Sequence, residues 1–239
     1  MQTEIITRIE NNVGWIILNR PQKRNALNHE LLQQFLEALI SYEADDAVKA
    51  VCISAAGDKA FCAGADLKEL QQSANVKMVQ DLYAAILIKL NDYLKTTLCY
   101  VNGACLGGGM GIMLSCDLVF AVEQSTYGTP EVAVGLYPLM ISLLLYRHLP
   151  KKIADEMILL GRRLEATDAL RLGMINRVCT KNEGQSILMD TLALVTKYHS
   201  KSFIQARRAS KKAMTLDFVA SINYLAKTFG ELVENNNGQ

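Results

Sequence analysis

The stretch NGACLGGGMG at residues 102–111 decides the fold, because it leads from an apolar strand, Cys99–Val101, into an apolar helical segment at 110–115. Three consecutive glycines, 107–109, stand at this strand-to-helix junction. Glycine lets a ligand approach the main chain closely, and the first N–H groups of a helix have no acceptor inside the helix. Together with a second loop of this kind, the stretch would form a backbone site for an anion or for a developing oxyanion.

A second loop of small residues, FCAGADL at 61–67, has the same character. Its run of alanine and glycine leaves the main chain accessible, and Asp66 favours a helix start just after it. Each loop alone is also typical of a tight, closely packed turn. Two such loops that converge would place two N–H donors around one oxygen atom. The glycines do not form a GxGxxG dinucleotide motif, because Ile112 stands where its last glycine should be.

The first hundred residues alternate between predicted strands and helices. A β-hairpin is expected at the start, with strands near Ile5–Ile9 and Trp15–Leu18 around a turn at residues 11–14. Apolar residues at helical spacing follow Asn28, which is a suitable N-cap. The pattern then predicts, in order, a buried strand at Ala50–Ser54, a loop at 57–66 and a long helical region that ends near Thr97.

Two β-like segments, Leu118–Val122 and Ser125–Tyr127, follow the glycine-rich stretch, and almost everything from Leu139 onward reads as helical. Strands interleaved with helices and followed by an all-helical tail predict a mixed α/β or α+β fold with a helical C-terminal subdomain. The boundary between the two parts is expected at residues 175–185.

Composition excludes several classes of function. The 239 residues are 50% hydrophobic, which suits one compact unit, and 25 basic against 24 acidic side chains give a net charge of +1. The chain has no apolar run of about 20 residues, and its start lacks the order of a secretory signal. We therefore expect a cytoplasmic protein with no membrane partner and no nucleic-acid partner drawn by overall charge.

Neither the cysteines nor the histidines form a recognised site. The six cysteines include no CxxC pair and lie among apolar or small residues, so we expect reduced thiols. His29, His148 and His199 are far apart and have no cysteine pair nearby, so we expect no metal site.

Four motifs, in this order and spacing, resemble the crotonase superfamily, the enoyl-CoA hydratase/isomerase family. They are FCAGADL at 61–67, NGACLGGGMG at 102–111, CDLVFA at 116–121 and YGTPEVAVGLYP at 127–138. The likeness extends from LNRPQKRNAL at 18–27 to LLGRRLEATDALRLGMINRV at 159–178.

The resemblance implies a spiral of repeated ββα units with a helical C-terminal trimerisation region. Residues 1–180 would then form the core that binds and processes an acyl-CoA thioester. Residues 181–239 would form the oligomerisation region of a homotrimer or hexamer. Coenzyme A would arrive as part of the substrate, with no permanently bound cofactor and no metal.

The resemblance also assigns roles to residues. It places the two oxyanion-hole N–H groups at Ala65 and Gly108. The residues that it places along the coenzyme A path are Lys23, Arg24, Ala26, Ala63, Asp66 and Leu67. Two of these, Lys23 and Arg24, are cations suited to the phosphates of coenzyme A, although solvated loop charges are an equally good interpretation.

The hydratases of this family use two glutamates, and only the second has a counterpart here. It matches Glu131, whereas the first falls on Gly111. One carboxylate suffices to move a proton, so the resemblance implies isomerisation of a 3-enoyl-CoA to a 2-enoyl-CoA in preference to hydration. We expect Gly111→Glu to add a carboxylate that orients water. The remaining residues predicted to line the substrate site are Gly107, Gly111, Pro130, Tyr137 and Leu139, with Met140 as a further candidate.

Three alternatives remain open. The protein could be a true 2-enoyl-CoA hydratase in which an unidentified group positions the water. It could bind acyl-CoA without catalysis, although the presence of Glu131 and of both oxyanion loops weighs against this. It could also bind RNA through the basic cluster of Arg207, Arg208, Lys211 and Lys212, a pattern that more often forms a solvated surface or a subunit contact.

Overall fold

The computed structural model describes residues 3–66, 69 and 73–237, which form a mixed α/β fold with two sheets. The strands are β1 Ile5–Glu10, β2 Val13–Leu18, β3 Ala50–Ala55, β4 Ala60–Cys62, β5 Thr96–Val101, β6 Ala104–Leu106, β7 Leu118–Val122, β8 Thr126–Gly128, β9 Leu164–Glu165 and β10 Arg177–Cys179. The helices are α1 His29–Ala44, α2 Ser73–Asp92, α3 Gly108–Leu114, α4 Leu139–His148, α5 Lys151–Leu160, α6 Ala166–Arg171, α7 Lys181–Tyr198, α8 Lys201–Ala213 and α9 Phe218–Asn237.

The larger sheet has the strand order β1-β2-β3-β5-β7-β10, and the smaller has the order β4-β6-β8-β9. Pairing is parallel throughout, apart from the β1–β2 hairpin and the β8–β9 pair. Parallel neighbours need crossover connections, and helices supply several of them here. The prediction of a mixed α/β fold with a helical C-terminal region is confirmed.

The predicted hairpin and the first helix are present, with one difference at the turn. The turn consists of Asn11 and Asn12 alone, both with positive φ (53° and 63°), and Val13 already pairs with Glu10. Two residues of this conformation match the twist of the strands they join, and asparagine tolerates it. The side chain of Asn28 caps α1 by accepting a hydrogen bond from the N–H of Leu31, at 3.0 Å.

Several predicted boundaries were wrong. The loop at 57–66 contains β4, α2 ends at Asp92 and not near Thr97, and the helix after the glycines begins at Gly108 and not at residue 110. The β-like segments after this helix belong to different sheets, and the tail after Leu139 includes β9 and β10. Short strands such as these depend on partners distant in sequence, and local patterns carry little information about them.

The larger sheet has a hydrophobic core on each face. Side chains alternate along β2, so Ile16 and Leu18 lie in the larger core with α1 and α2, whereas Trp15 lies in the smaller core. Leu188 and Leu192 of α7 close that smaller core. The first helix after residue 180 therefore packs on the sheet, and the domain division at that residue stays a prediction.

The small sheet positions the candidate site. Its strands β4, β6 and β8 are parallel neighbours, so their carboxyl ends meet at one edge. The chain leaving β4 contains Ala65, the chain leaving β6 enters α3 at Gly108, and the chain leaving β8 reaches Glu131. Ligand sites of parallel sheets form at this edge. Among the residues described, no helix is long and apolar enough to cross a membrane.

Candidate active site

The loop after β4 presents an unpaired N–H group at Ala65. Gly64 has a φ of +93°, which side chains disfavour, and its carbonyl accepts a hydrogen bond from Leu27 at 2.8 Å. The N–H of Asp66 returns a bond of 2.8 Å to the carbonyl of Leu27. These two bonds form an isolated parallel β-bridge between Leu27 and Ala65. The N–H of Ala65 itself has no acceptor among residues 3–66, 69 and 73–237.

The loop after β6 presents a second such group at Gly108. Gly107 precedes α3 with φ +50° and ψ −123°, a conformation open almost solely to glycine, and its N–H donates to the carbonyl of Gly128 at 2.9 Å. This bond fixes the start of α3 to β8. The N–H of Gly108 then lies in the first helical turn, where it finds no acceptor in the described part of the chain.

The two loops touch each other. A Cβ atom built on Gly64 would lie 3.3 Å from the carbonyl oxygen of Leu106 and 3.6 Å from the nitrogen of Gly108. Close backbone approach of this kind brings both N–H donors to the wall of one cavity, which Ala65 and Gly108 line together. Two donors aimed at one point can stabilise negative charge that develops on a carbonyl oxygen.

Glu131 faces the same cavity from a short 3-10 helix, Pro130–Val134. Thr129 anchors this segment by donating its hydroxyl to the carbonyl of Met157 at 2.6 Å. The Oε1 atom of Glu131 lies 2.7 Å from the place that a Cβ on Gly107 would take, and its Oε2 atom is buried with no hydrogen-bond partner among the described residues. The carboxylate is therefore held close to the oxyanion loop.

Burial changes the acidity of this carboxyl group. Loss of solvent raises the pKa of Glu131 above its usual 4.5, and a backbone hydrogen bond offsets part of the rise. A carboxylate with a raised pKa is a stronger base at neutral pH than an exposed one. The group is thus suited to take a proton from a weakly acidic carbon and to return it.

The cavity has a volume of about 290 Å³ and is mostly apolar. Five predicted site residues line it together, namely Ala65, Gly108, Glu131, Tyr137 and Leu139. Met140, predicted as a further candidate for the apolar wall, lines it as well. Leu139 is 76% exposed and Tyr137 47% exposed, so this wall is open to solvent on its outer side.

A larger cavity of about 670 Å³ lies elsewhere, on the α7 face of the larger sheet. Its lining includes Trp15, Asn102 and Lys181, and it contains none of the predicted site residues. Size alone would favour it as the active site. The smaller cavity is the better candidate because it brings unpaired donors together with a carboxyl group of raised pKa.

Gly111 lies inside α3 and is fully enclosed. A Cβ built on it would lie 1.9 Å from the hydroxyl oxygen of Tyr83 and 3.1 Å from Cζ of the same ring. Gly111→Glu therefore requires Tyr83 to move before it can add a carboxylate, a condition that the sequence did not reveal. Sequence reasoning missed this residue: with Val79, Ile86 and Leu90 it forms an apolar stripe at helical spacing, which predicts only a core position.

The predicted coenzyme A path is an ordered loop. Lys23 and Arg24 are exposed, and the N–H of Ala63 donates to the carbonyl of Arg24 at 3.0 Å. Asn25, which sequence reasoning also missed, is fully buried and donates to the carbonyls of Ala56 and Ala60 at 3.0 and 2.9 Å. These bonds fasten the two cations beside the loop after β4.

A buried arginine completes this arrangement. Arg20 contacts the carbonyl of Ala26 at 2.6 Å, the carboxylate of Asp66 at 3.1 Å and that of Glu4 at 2.5 Å. The carboxylate of Asp66 is therefore paired inside the protein. The family resemblance assigns the main-chain atoms of Asp66, and not its carboxylate, to the coenzyme A path. Leu67, also assigned to that path, lies outside the described residues.

The model of one protein family, described as enoyl-CoA hydratase/isomerase, matches residues 8–237. The chain belongs to the enoyl-CoA hydratase/isomerase family. The crotonase resemblance predicted from the motifs is confirmed. Trimer formation by the C-terminal helices of this family member stays a prediction.

Individual relatives agree with the family assignment. The chain is 35% identical to the mitochondrial enoyl-CoA hydratase of Pongo abelii over 206 residues, which cover 84% of this chain and 68% of the relative. It is 31% identical to a probable enoyl-CoA hydratase of Rhizobium meliloti over 233 residues, 95% of this chain and 89% of the relative. The crystal structure of human enoyl Coenzyme A hydratase domain-containing protein 3 shares the fold, with a TM-score of 0.91 at 24% identity, covering 95% of this chain and 91% of that one.

Other sites weighed from the sequence gain no support in this family member. Within the described ranges, no group of three or more His, Cys, Asp or Glu side chains is placed to hold a metal ion. The basic cluster of α8 is divided, because Arg207 is paired with Asp117 at 2.5 Å and Lys211 bonds the carbonyl of Asn91. Two of its four cations thus point into the protein, which leaves a poor surface for RNA. All six cysteines are free.

Proposed function

We propose that this chain converts a 3-enoyl-CoA into a 2-enoyl-CoA, with Glu131 as its acid and base. One observation carries the proposal: a single cavity is lined by two N–H groups that have no acceptor among the described residues, and by a carboxyl group whose pKa burial raises. Coenzyme A enters as part of the substrate, and no other cofactor takes part. The exposed Lys23 and Arg24 would serve as cations for its phosphates.

The N–H groups of Ala65 and Gly108 donate to the thioester oxygen. A thioester makes the protons on its α-carbon acidic, and the two hydrogen bonds stabilise the enolate that forms when one is removed. Loss of one such donor typically costs about 3–4 kcal/mol of transition-state stabilisation. The donors are backbone groups held by the bonds at Gly64 and Gly107, so they need no rearrangement during the reaction.

Glu131 removes a proton from carbon 2 and returns it to carbon 4, while the double bond moves from the 3- to the 2-position. The carboxylate is regenerated in the second step, so atoms and charges balance with no other reactant. The apolar wall that includes Tyr137 and Leu139 would take the acyl chain. Position 111 provides no second carboxylate, because it is a glycine enclosed by Tyr83.

Hydration of a 2-enoyl-CoA is the second candidate, and the names of the relatives favour it. Hydration needs a water held against the β-carbon, a task that a second acid or base normally shares. Glu131 is the one carboxyl group among the described residues that line the cavity. We therefore expect slow hydration compared with isomerisation.

A panel of 2-enoyl- and 3-enoyl-CoA thioesters of several chain lengths, with identification of the products, tests the proposal. We expect 3-enoyl-CoA to yield 2-enoyl-CoA faster than 2-enoyl-CoA yields the 3-hydroxy product. Hydration at an equal or greater rate would favour the second candidate. Saturable binding with no turnover would instead make the chain a non-catalytic acyl-CoA-binding protein.

A further inference from the structure

Tyr83 is a polar side chain in the wall of the cavity for which the mechanism above has no use. It projects from α2 between Gly108 and Gly111, and it is only 7% exposed. Its hydroxyl donates to the carbonyl of Gly108 at 2.8 Å. The same hydroxyl oxygen lies 1.9 Å from the place of a Cβ on residue 111, so it occupies the space in which any side chain there would begin.

The hydroxyl is unsuited to replace a carboxylate. Burial raises the pKa of Tyr83 well above 10, and the nearby Cys62 and Glu131 add to the rise, so the phenol stays neutral at physiological pH. Its proton is committed to the carbonyl of Gly108. A neutral phenol in this state cannot activate a water molecule as a base.

We propose that Tyr83 determines the specificity of the site by excluding a second acid or base at residue 111 and by holding Gly108 in place. The inference rests on the proposed function and deepens it. With glycine at residue 111 and Tyr83 in the adjoining space, Glu131 is the single proton carrier, so proton transfer prevails over addition of water. Through its bond to Gly108 it is a positioning residue for the oxyanion donor.

A stability cycle, which is a double-mutant cycle measured by thermal unfolding, tests without any substrate whether Tyr83 excludes a side chain at residue 111. Gly111→Ala is made in the wild type and in Tyr83→Phe, and the melting temperature Tm is measured for each. In the wild type the added methyl group overpacks against the hydroxyl, so we expect Tm to fall by roughly 2–12 °C. In Tyr83→Phe only the ring contact at 3.1 Å remains, and we expect less than half that fall. Equal falls in both backgrounds would reject the exclusion.

Tyr93→Phe provides a matched control for the positioning role. Tyr93 is fully buried and donates its hydroxyl to the carbonyl of Leu39 at 2.8 Å, away from the cavity. Both phenylalanine variants lose the same kind of hydrogen bond. We expect Tyr83→Phe to lower kcat for isomerisation roughly 3- to 10-fold with little change in KM, and Tyr93→Phe to leave both unchanged. Equal kcat values in the two variants would reject the positioning role.

The specificity itself is tested by making room for a carboxylate. Tyr83→Leu shortens the side chain and removes its hydroxyl, and Gly111→Glu is then added. We expect the ratio of hydration to isomerisation to rise at least about 10-fold over that of Tyr83→Leu alone. Gly111→Glu in the wild type should give no such gain, because Tyr83 blocks it.

The outcomes separate this inference from the proposed function. Isomerisation that depends on Glu131, with an unchanged product ratio in the double variant, would overturn the role of Tyr83 alone. A wild-type protein that turns over neither enoyl-CoA isomer would overturn the proposed function and the specificity role together. If the double variant fails to fold, the stability cycle with Gly111→Ala still decides the exclusion.

Discussion

Gly107→Ala is expected to slow the reaction without altering any group that takes part in it. The new Cβ would lie 2.7 Å from Oε1 of Glu131, whereas ordinary contacts of this kind begin at 3.4 Å. The carboxylate must therefore retreat by about 0.7 Å, the difference between these two distances. Since a misplacement of about 1 Å can cost a factor of about 100, we expect kcat to fall roughly 10- to 100-fold.

The same substitution also strains the backbone, so it needs a control. Alanine at the φ of +50° of Gly107 costs about 1–3 kcal/mol, or roughly 2–12 °C in Tm for a chain of this size. Gly173 has a φ of +75°, and no atom of the described residues lies within 4 Å of an added Cβ, so Gly173→Ala imposes positive-φ strain without a contact. Steady-state kinetics and thermal unfolding of both variants separate the two effects. Equal kcat values in two folded variants would refute the placement of Glu131 against Gly107.

Three further predictions concern the oxyanion donor, the carboxyl group and the ligand. Gly108→Pro removes one proposed donor, so isomerisation should fall by two orders of magnitude or more. Gly108→Ala keeps the N–H but places its new Cβ 2.8 Å from Leu27, so it serves as the control for a steric effect. A comparable loss in kinetic assays of both variants would argue against the donor role. Because the pKa of Glu131 is raised, the folded protein binds more protons than the unfolded chain between pH 4.5 and the raised pKa, so this group's contribution to stability falls as pH rises through that interval. Across this range, the Tm of Glu131→Gln should rise relative to that of the wild type as pH increases. A Tm difference that does not change with pH would contradict the burial effect. A saturating acyl-CoA should raise Tm more than free coenzyme A does, because binding to the folded state alone adds RT ln(1 + [L]/Kd); no shift with either ligand would contradict the site.

Local sequence signals predicted the parts of the fold that depend on local chemistry. The cap at Asn28 and the turn at Asn11 and Asn12 follow from side chains that bond or tolerate their own backbone. Small residues at strand ends predicted two loops with an accessible main chain, and the family resemblance then placed the candidate donors at Ala65 and Gly108 within them. The family resemblance, and not periodicity, supplied the role of Glu131.

Features that depend on distant partners were not predictable in this way. The neighbouring segments at 118–122 and 126–128 are both strands, yet they join different sheets because their partner strands differ. Tyr83 reads as one more apolar position of a helix, and its contact with Gly111 arises only when two helices pack together. Arg20 likewise looks like a loop cation until Glu4 and Asp66 are placed around it.

The role of Glu131 as the single acid and base is tested most directly by the rate at which Glu131→Gln converts 3-enoyl-CoA to 2-enoyl-CoA. The amide keeps the size of the side chain and removes its basicity, so we expect kcat to fall by about two to four orders of magnitude. Binding of a saturated acyl-CoA should barely change, and Glu123→Gln, which alters an exposed carboxylate, should behave as the wild type does. Undiminished isomerisation by a folded Glu131→Gln protein would contradict the proposed mechanism.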